Sequence, residues 1–232
     1  MRLLRSWFLS DPVDLHALQL DPLGWPLHEE NKYERLWRAA QFPAQLSKHF
    51  FPRVPDLPAH PSLMDRLIPF YQKKLKKPQA GIIEISPVVI QELDAIRTLF
   101  KFPLSSGGYL YLASLTIPFA NYSYVIKVQS QEFQDIGGRE REVRKRWERK
   151  NQDPSAAWTC PPFPNLAKGP HSMNESDKRE YDRIFAQHPL SQVRRWLPKV
   201  EKSLQLDPAL YDLAPFRKGL KKKSPKARGS QG

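Results

Sequence analysis

YLYLASLTIPFANYSYVIKVQ, residues Tyr109–Gln129, is the stretch that decides the fold class. It holds two runs of β-branched and aromatic residues separated by Pro118-Phe119-Ala120-Asn121, the pattern of an antiparallel strand pair joined by a turn. In the second run Tyr122, Tyr124, Ile126 and Val128 share one face, and Ser123, Val125, Lys127 and Gln129 share the other. Working back through the loop Ser105-Ser106-Gly107-Gly108, two further strands read at Gly81–Ser86 and Ile96–Phe102. The residues between these two, PVVIQELDA, read as a strand continuation or a helical turn. The expectation is an α+β fold built on a four-stranded antiparallel meander with flanking helices.

The helices are read from apolar spacing. Tyr33, Leu36, Trp37 and Ala40 recur at helical intervals, so Asn31–Gln41 reads as a helix that Asn31 can cap. A second helix starts at Ser62, with Met64, Leu67, Ile68, Tyr71 and Leu75 as its stripe and Pro69 as a kink. Its end carries Lys73, Lys74, Lys76 and Lys77, which suits the negative end of a helix dipole. Gly137-Gly138 precedes a charged helix, Arg139–Lys150, whose apolar contacts are Val143 and Trp147 and whose Glu140/Arg144 and Glu142/Arg146 pairs are spaced to interact. A C-terminal helical hairpin closes the series. Its first arm starts at Asn174 or Ser176 and carries Tyr181, Ile184 and Phe185. Its second opens at Pro189 and carries Leu190, Val193, Leu197, Val200 and Leu204.

Proline divides the chain. There are 23 prolines and only 10 glycines in 232 residues, a proline share near twice the usual value of about 5%. The division runs as a Pro-rich irregular N-terminal segment packed on the core (1–60), an α+β core (61–150), a Pro-rich connection (151–172), the helical hairpin (173–215) and a disordered basic tail (216–232). The net charge of +13 is local. Seven Lys/Arg and no acid follow Phe216, seven bases against three acids lie in Arg139–Lys150, and four lysines lie in Lys73–Lys77.

Several functions are disfavoured by what the chain lacks. One cysteine, Cys160, supports neither an intrachain disulfide framework nor a multi-cysteine metal site. The apolar run at the N-terminus is interrupted by Arg5 and stops at Asp11-Pro12, so it does not read as a signal peptide. No apolar run approaches the ~18 residues of a membrane span. The six histidines show no ligand spacing, and no phosphate-binding glycine loop or nucleophile elbow is present. No cofactor is implied, and no family signature can be matched residue by residue.

The reading that remains is a non-catalytic, cytoplasmic protein-binding module of the adaptor, chaperone or toxin-immunity kind. Its interface candidates are the tryptophans of the Pro-rich loops, Trp7, Trp25 and Trp158. The alternative is a nucleic-acid-associated accessory protein contacting anions through Arg139, Arg141, Arg144, Lys145 and Arg146 of the charged helix and Lys221, Lys222 and Lys223 of the tail. An enzyme with a loop-built site around His28, His49 and His60 comes third.

Overall fold

A computed structural model describes residues 13–150 and 158–220. Trp7, Lys221, Lys222 and Lys223 lie outside the described residues. In chain order the elements are β1 (Leu18–Gln19), β2 (Leu27–Asn31), β3 (Glu34–Arg38), β4 (Ala44–Phe51), α1 (Met64–Lys76), β5 (Gly81–Ile90), β6 (Leu93–Pro103), β7 (Tyr109–Pro118), β8 (Ser123–Gln131), α2 (Gly138–Lys150), α3 (Pro189–Ser203) and β9 (Gln205–Leu206). β1 and β9 pair as a small two-stranded sheet, and the rest form one seven-stranded antiparallel sheet in the order β2-β3-β4-β8-β7-β6-β5.

The four strands β5 to β8 do follow one another as hairpins, but they are only part of the sheet. β4 pairs with the free edge of β8, from Ala44↔Ser130 to Phe51↔Ser123, and brings β3 and β2 with it. The expected four-stranded meander and irregular N-terminal segment are thereby corrected. Where a helix was expected at Asn31–Gln41, the chain turns back on itself between β2 and β3. Asn31 is a turn former as well as a helix cap, and its Oδ1 accepts a hydrogen bond from the Tyr33 amide at 2.9 Å. Trp37 then lies buried opposite Leu46 of β4.

One face of the sheet is closed by α3. Leu190, Val193, Leu197 and Val200 of its stripe pack on Leu115 and Ile117 of β7 and on Tyr124, Ile126 and Val128 of β8. Each large aliphatic side chain so buried contributes about 1.5–3 kcal/mol. Lys48 of β4 points into this same core with 1% of its surface exposed, its Nζ donating to the Leu18 carbonyl at 2.5 Å.

The other face is closed only in part. α1 packs Leu67 and Leu75 on Ile82 and Ile85 of β5 and Ile96 and Phe100 of β6, running through Pro69 without ending there. Its N-cap position is Leu63 with no side-chain cap bond, because the Ser62 hydroxyl pairs with His60 Nδ1 instead. A helix is ~10 Å across and seven strands at ~4.8 Å spacing are nearly three times as wide. The same face over β7, β8, β4 and β3 carries Ser114, Lys127, Ser47, Gln129 and Gln45 at adjacent cross-strand positions, with Leu112, Val125 and Leu36 among them.

At the C-terminal end the expected hairpin keeps only its second arm, α3. The first arm is two short 3-10 turns, Glu175–Asp177 and Arg179–Tyr181. Asn174 does cap, with Asp177 completing a capping box, but the turn it opens is not an α-helix. Asp177 and Asp182 are drawn to the buried cations Lys101, Arg139 and Arg194. Ile184 is left exposed, so the apolar spacing of this arm has no face to bury.

Candidate functional site

A groove of about 600 Å³ opens beside α1, within the size range of ligand and anchor sites. One wall is a helical stripe: Pro69, Gln72, Lys73 and Lys76 recur at three- and four-residue intervals. Leu75, Ala80 and Ile82 form the floor, and Pro161, Pro162, Leu166, Lys168 and Met173 line the other side. Proline at these positions makes the wall stiff, since each ring removes a backbone rotation.

The far wall is tied to the sheet. Segment 159–174 is pinned by the Thr159↔Asn174 bridge and by the Cys160 amide donating to the Met173 carbonyl at 2.9 Å. Asp177, just beyond, meets Lys101 of β6 at 2.5 Å, with both side chains almost fully buried. The Lys101 ammonium also lies 4.9 Å from the Tyr109 ring centre, and Tyr109 Oη bonds His171 Nδ1 at 3.2 Å. The wall crosses the sheet so closely that a Cβ on Gly81 would sit 2.0 Å from the His171 carbonyl oxygen. Burial, then the Lys101 charge, lowers the His171 pKa, and burial pushes the Cys160 thiol up. This cysteine is thus less of a thiolate than an ordinary one.

The groove's electrostatics come from lysine alone. Lys73, Lys76 and Lys168 have no hydrogen-bond or ion-pair partner among the described residues, and no Asp or Glu lines the opening. Lys74, on the opposite flank of α1, differs: it pairs with Asp56 and lies over the Phe70 ring at 4.7 Å.

Of the five candidate residues of the charged helix, four are tied to groups of the chain, and the fifth, Arg146, is exposed with no salt bridge among the described residues. Arg139 is 3% exposed, and its guanidinium donates to the carbonyls of Ser176 and Lys178, to Ser191 Oγ and to Asp182. It joins α2 to the 176–191 region rather than facing an outside anion. Arg141 pairs with Asp135 at 2.7 Å, Arg144 with Glu140 at 3.4 Å, and Lys145 with Glu142 at 2.9 Å. Lys145 thus takes the acid expected for Arg146, whose charge still helps to lower the Glu142 pKa. Of the loop tryptophans, Trp25 meets Trp196 edge-on at 4.9 Å between ring centres. Trp158 meets Trp147 edge-on at 5.6 Å between ring centres and has the Arg144 guanidinium 4.3 Å from its own. Both rings are engaged within the chain.

The three N-terminal histidines are not brought to one place. His28 is exposed on edge strand β2. His60 bonds Ser62 and Asp94. His49, on the polar half of the sheet, has its Nε2 2.9 Å from Ser47 Oγ and its Nδ1 3.6 Å from Glu34 Oε1, in the order of a Ser-His-Glu relay. Two features separate it from a nucleophilic site. Burial, then the positive Lys127, lowers the ring pKa to about 4, which makes it a poor base near neutral pH. β4 is hydrogen-bonded to neighbours on both sides, so its amides are not free to stabilise an oxyanion. Among the described residues, no group of three or more His, Cys, Asp or Glu side chains is placed to hold a metal ion, and no helix is long and apolar enough to cross a membrane.

No protein-family model matches this chain, and no curated protein matches it by sequence. Among solved structures, it is similar to a protein from Bacteroides thetaiotaomicron VPI-5482 at 12% identity and a TM-score of 0.32, over 50% of this chain and 39% of that one. It is also similar to a protein of unknown function from Pseudomonas aeruginosa at 10% identity and a TM-score of 0.34, over 60% of this chain and 97% of that one. Likenesses this loose carry no argument about function.

Sequence reasoning missed the groove. Its lysines were visible, but those of α1 were accounted for by the helix dipole, and Lys168 stands alone in a Pro-rich connection. The usable signal was the lack of acids three or four residues from Lys73 and Lys76.

Proposed function

We propose that the protein is a non-catalytic protein-binding module acting in the cytoplasm, of the adaptor, chaperone or immunity kind, and that it receives its partner in the groove between α1 and residues 161–173. The observation that supports this reading is the combination of an apolar, proline-stiffened cleft with lysines that no group among the described residues neutralises. A preformed apolar cleft of this kind suits the anchor side chains of a partner, whose binding energy concentrates in a few buried contacts. The test is a nuclease-treated pull-down with tagged full-length protein at low and high salt, comparing wild type with Leu166→Asp. A protein retained at high salt by wild type and lost from the variant supports the reading; a partner retained equally by both rejects the groove.

Nucleic-acid association is the second reading, favoured by the +13 charge and by the seven Lys/Arg that follow Phe216. It predicts retention that collapses with salt and on removal of residues 217–232.

A further inference from the structure

Building on that reading, we infer that the groove takes an acidic segment of the partner protein, in which one or two apolar side chains are flanked by Asp or Glu carboxylates. Lys73 and Lys76 stand on the helical wall and Lys168 on the opposite one, so an occupant has cations on both sides of its apolar anchor. The helix dipole accounts for cations on the last turn of α1, but Lys168 belongs to no helix and has no such reason to be there. All three are unpaired among the described residues, and the lining contains no carboxylate. Their charge is therefore complementary to acid supplied from outside.

The lining also selects against other anions. It contains no Phe, Tyr or Trp, whereas single-stranded nucleic acid is held largely by stacking on such rings. Leu75, Ile82 and Leu166 give the middle of the groove an apolar surface that a bare phosphate backbone cannot use. The stripe from Pro69 to Lys76 is ~10 Å long at the helical rise, room for about three residues of extended chain. The recognised element is thus short: an apolar anchor with acids on either side.

The experiment selects random peptides displayed on phage against immobilised full-length protein, then titrates labelled synthetic peptides of the enriched sequences at low and high salt. Sodium dodecanoate is titrated in parallel as a small anionic amphiphile. The variants are Lys73→Glu/Lys76→Glu/Lys168→Glu, the same three sites as Arg, and Leu166→Asp. The expected result is enrichment of sequences with Leu, Phe or Trp between acids, a loss of affinity of more than about tenfold in the triple Glu variant, and near-full retention in the triple Arg variant. Enriched peptides without acids that still depend on Leu166 overturn the acidic-segment inference and leave the groove as the binding site. Peptides indifferent to every variant overturn both. Binding of dodecanoate with no peptide enriched also overturns the inference, in favour of a small-amphiphile site.

Discussion

α1 and α2 are both 13-residue helices ending in basic residues, MDRLIPFYQKKLK and GREREVRKRWERK, yet they set their charge in different surroundings. α2 carries more cations, but Glu140 and Glu142 lie within a turn of Arg144 and Lys145, Arg141 reaches Asp135, and Arg139 is buried in a web of carbonyls and Asp182. The exposed Arg146, Arg149 and Lys150, which have no salt bridge among the described residues, do not line the groove. α1 has only Asp65, at its far end, so Lys73 and Lys76 pair with no acid among the described residues and stand at the edge of an apolar groove. Charge density along a sequence therefore does not show which cations stand beside apolar surface, the setting that the proposed acidic partner requires.

The comparison can be broken at four points. The largest effect is expected at the clamp that holds the groove's far wall. Asp177→Ala leaves Lys101 buried without its carboxylate and should cost about 3–5 kcal/mol, read as a lowered denaturant midpoint; Lys101→Met/Asp177→Leu should cost less. A shift under about 1 kcal/mol for the single change would show that the wall is held in another way.

Arg139→Met comes next. It leaves the Ser176 and Lys178 carbonyls and the Asp182 carboxylate short of a donor, at about 2–4 kcal/mol. If this variant instead folds normally and loses nucleic-acid retention, α2 is a contact surface and the contrast with α1 fails.

The pH dependence should come from β4 rather than from either basic helix. Burial, then the Lys127 charge, holds His49 near 4, below the ordinary imidazole value of 6.5. Between these values the unfolded chain binds a proton that the folded one does not, so stability is lost as pH falls from about 6.5 to 4. Lys48 is lowered to about 8 from 10.5, chiefly by burial. By the same sign, stability rises as pH climbs through that window. Denaturation across pH should show both limbs, with His49→Gln flattening the acidic one. An unchanged acidic limb in that variant would remove His49 from the account.

The smallest stability effect belongs to the groove itself. Reversing Lys73, Lys76 and Lys168 to Glu should cost no more than about 1 kcal/mol, from the two acids set against the dipole at the end of α1, because no ion pair among the described residues is broken. A larger loss would mean that these lysines support the fold, and would weaken their assignment to a partner.

Much of the fold was legible. The alternation in Tyr122–Val128 reproduces the faces of β8, and the stripe from Leu190 to Val200 is the buried side of α3. β4 escaped because Lys48 occupies a core position, which breaks the apolar alternation of AQLSKHFF. Its ammonium is satisfied by the Leu18 carbonyl, 30 residues away. The first arm of the C-terminal pair misled in the opposite way: Tyr181, Ile184 and Phe185 have helical spacing, but the neighbouring acids are held by buried cations from β6, α2 and α3. Of the site, the α1 lysines could be seen but not their setting. Trp25 and Trp158 drew attention as loop aromatics, although each finds an aromatic or cationic neighbour distant in sequence.

What the sequence determined by itself was local: antiparallel strands from Gly81 onward, the apolar faces of α1 and α3, and a basic character concentrated in a few segments. These follow from side-chain periodicity, which each segment carries alone. Only the tertiary structure decided that β4 joins the edge of β8, that α1 covers the β5–β6 end of one sheet face, and that residues 161–173 return alongside α1 to make a groove. Those arrangements rest on contacts such as Lys101 with Asp177, 76 residues apart. The partners of such a contact are chosen by burial and charge once the chain has collapsed, and no local pattern records the choice.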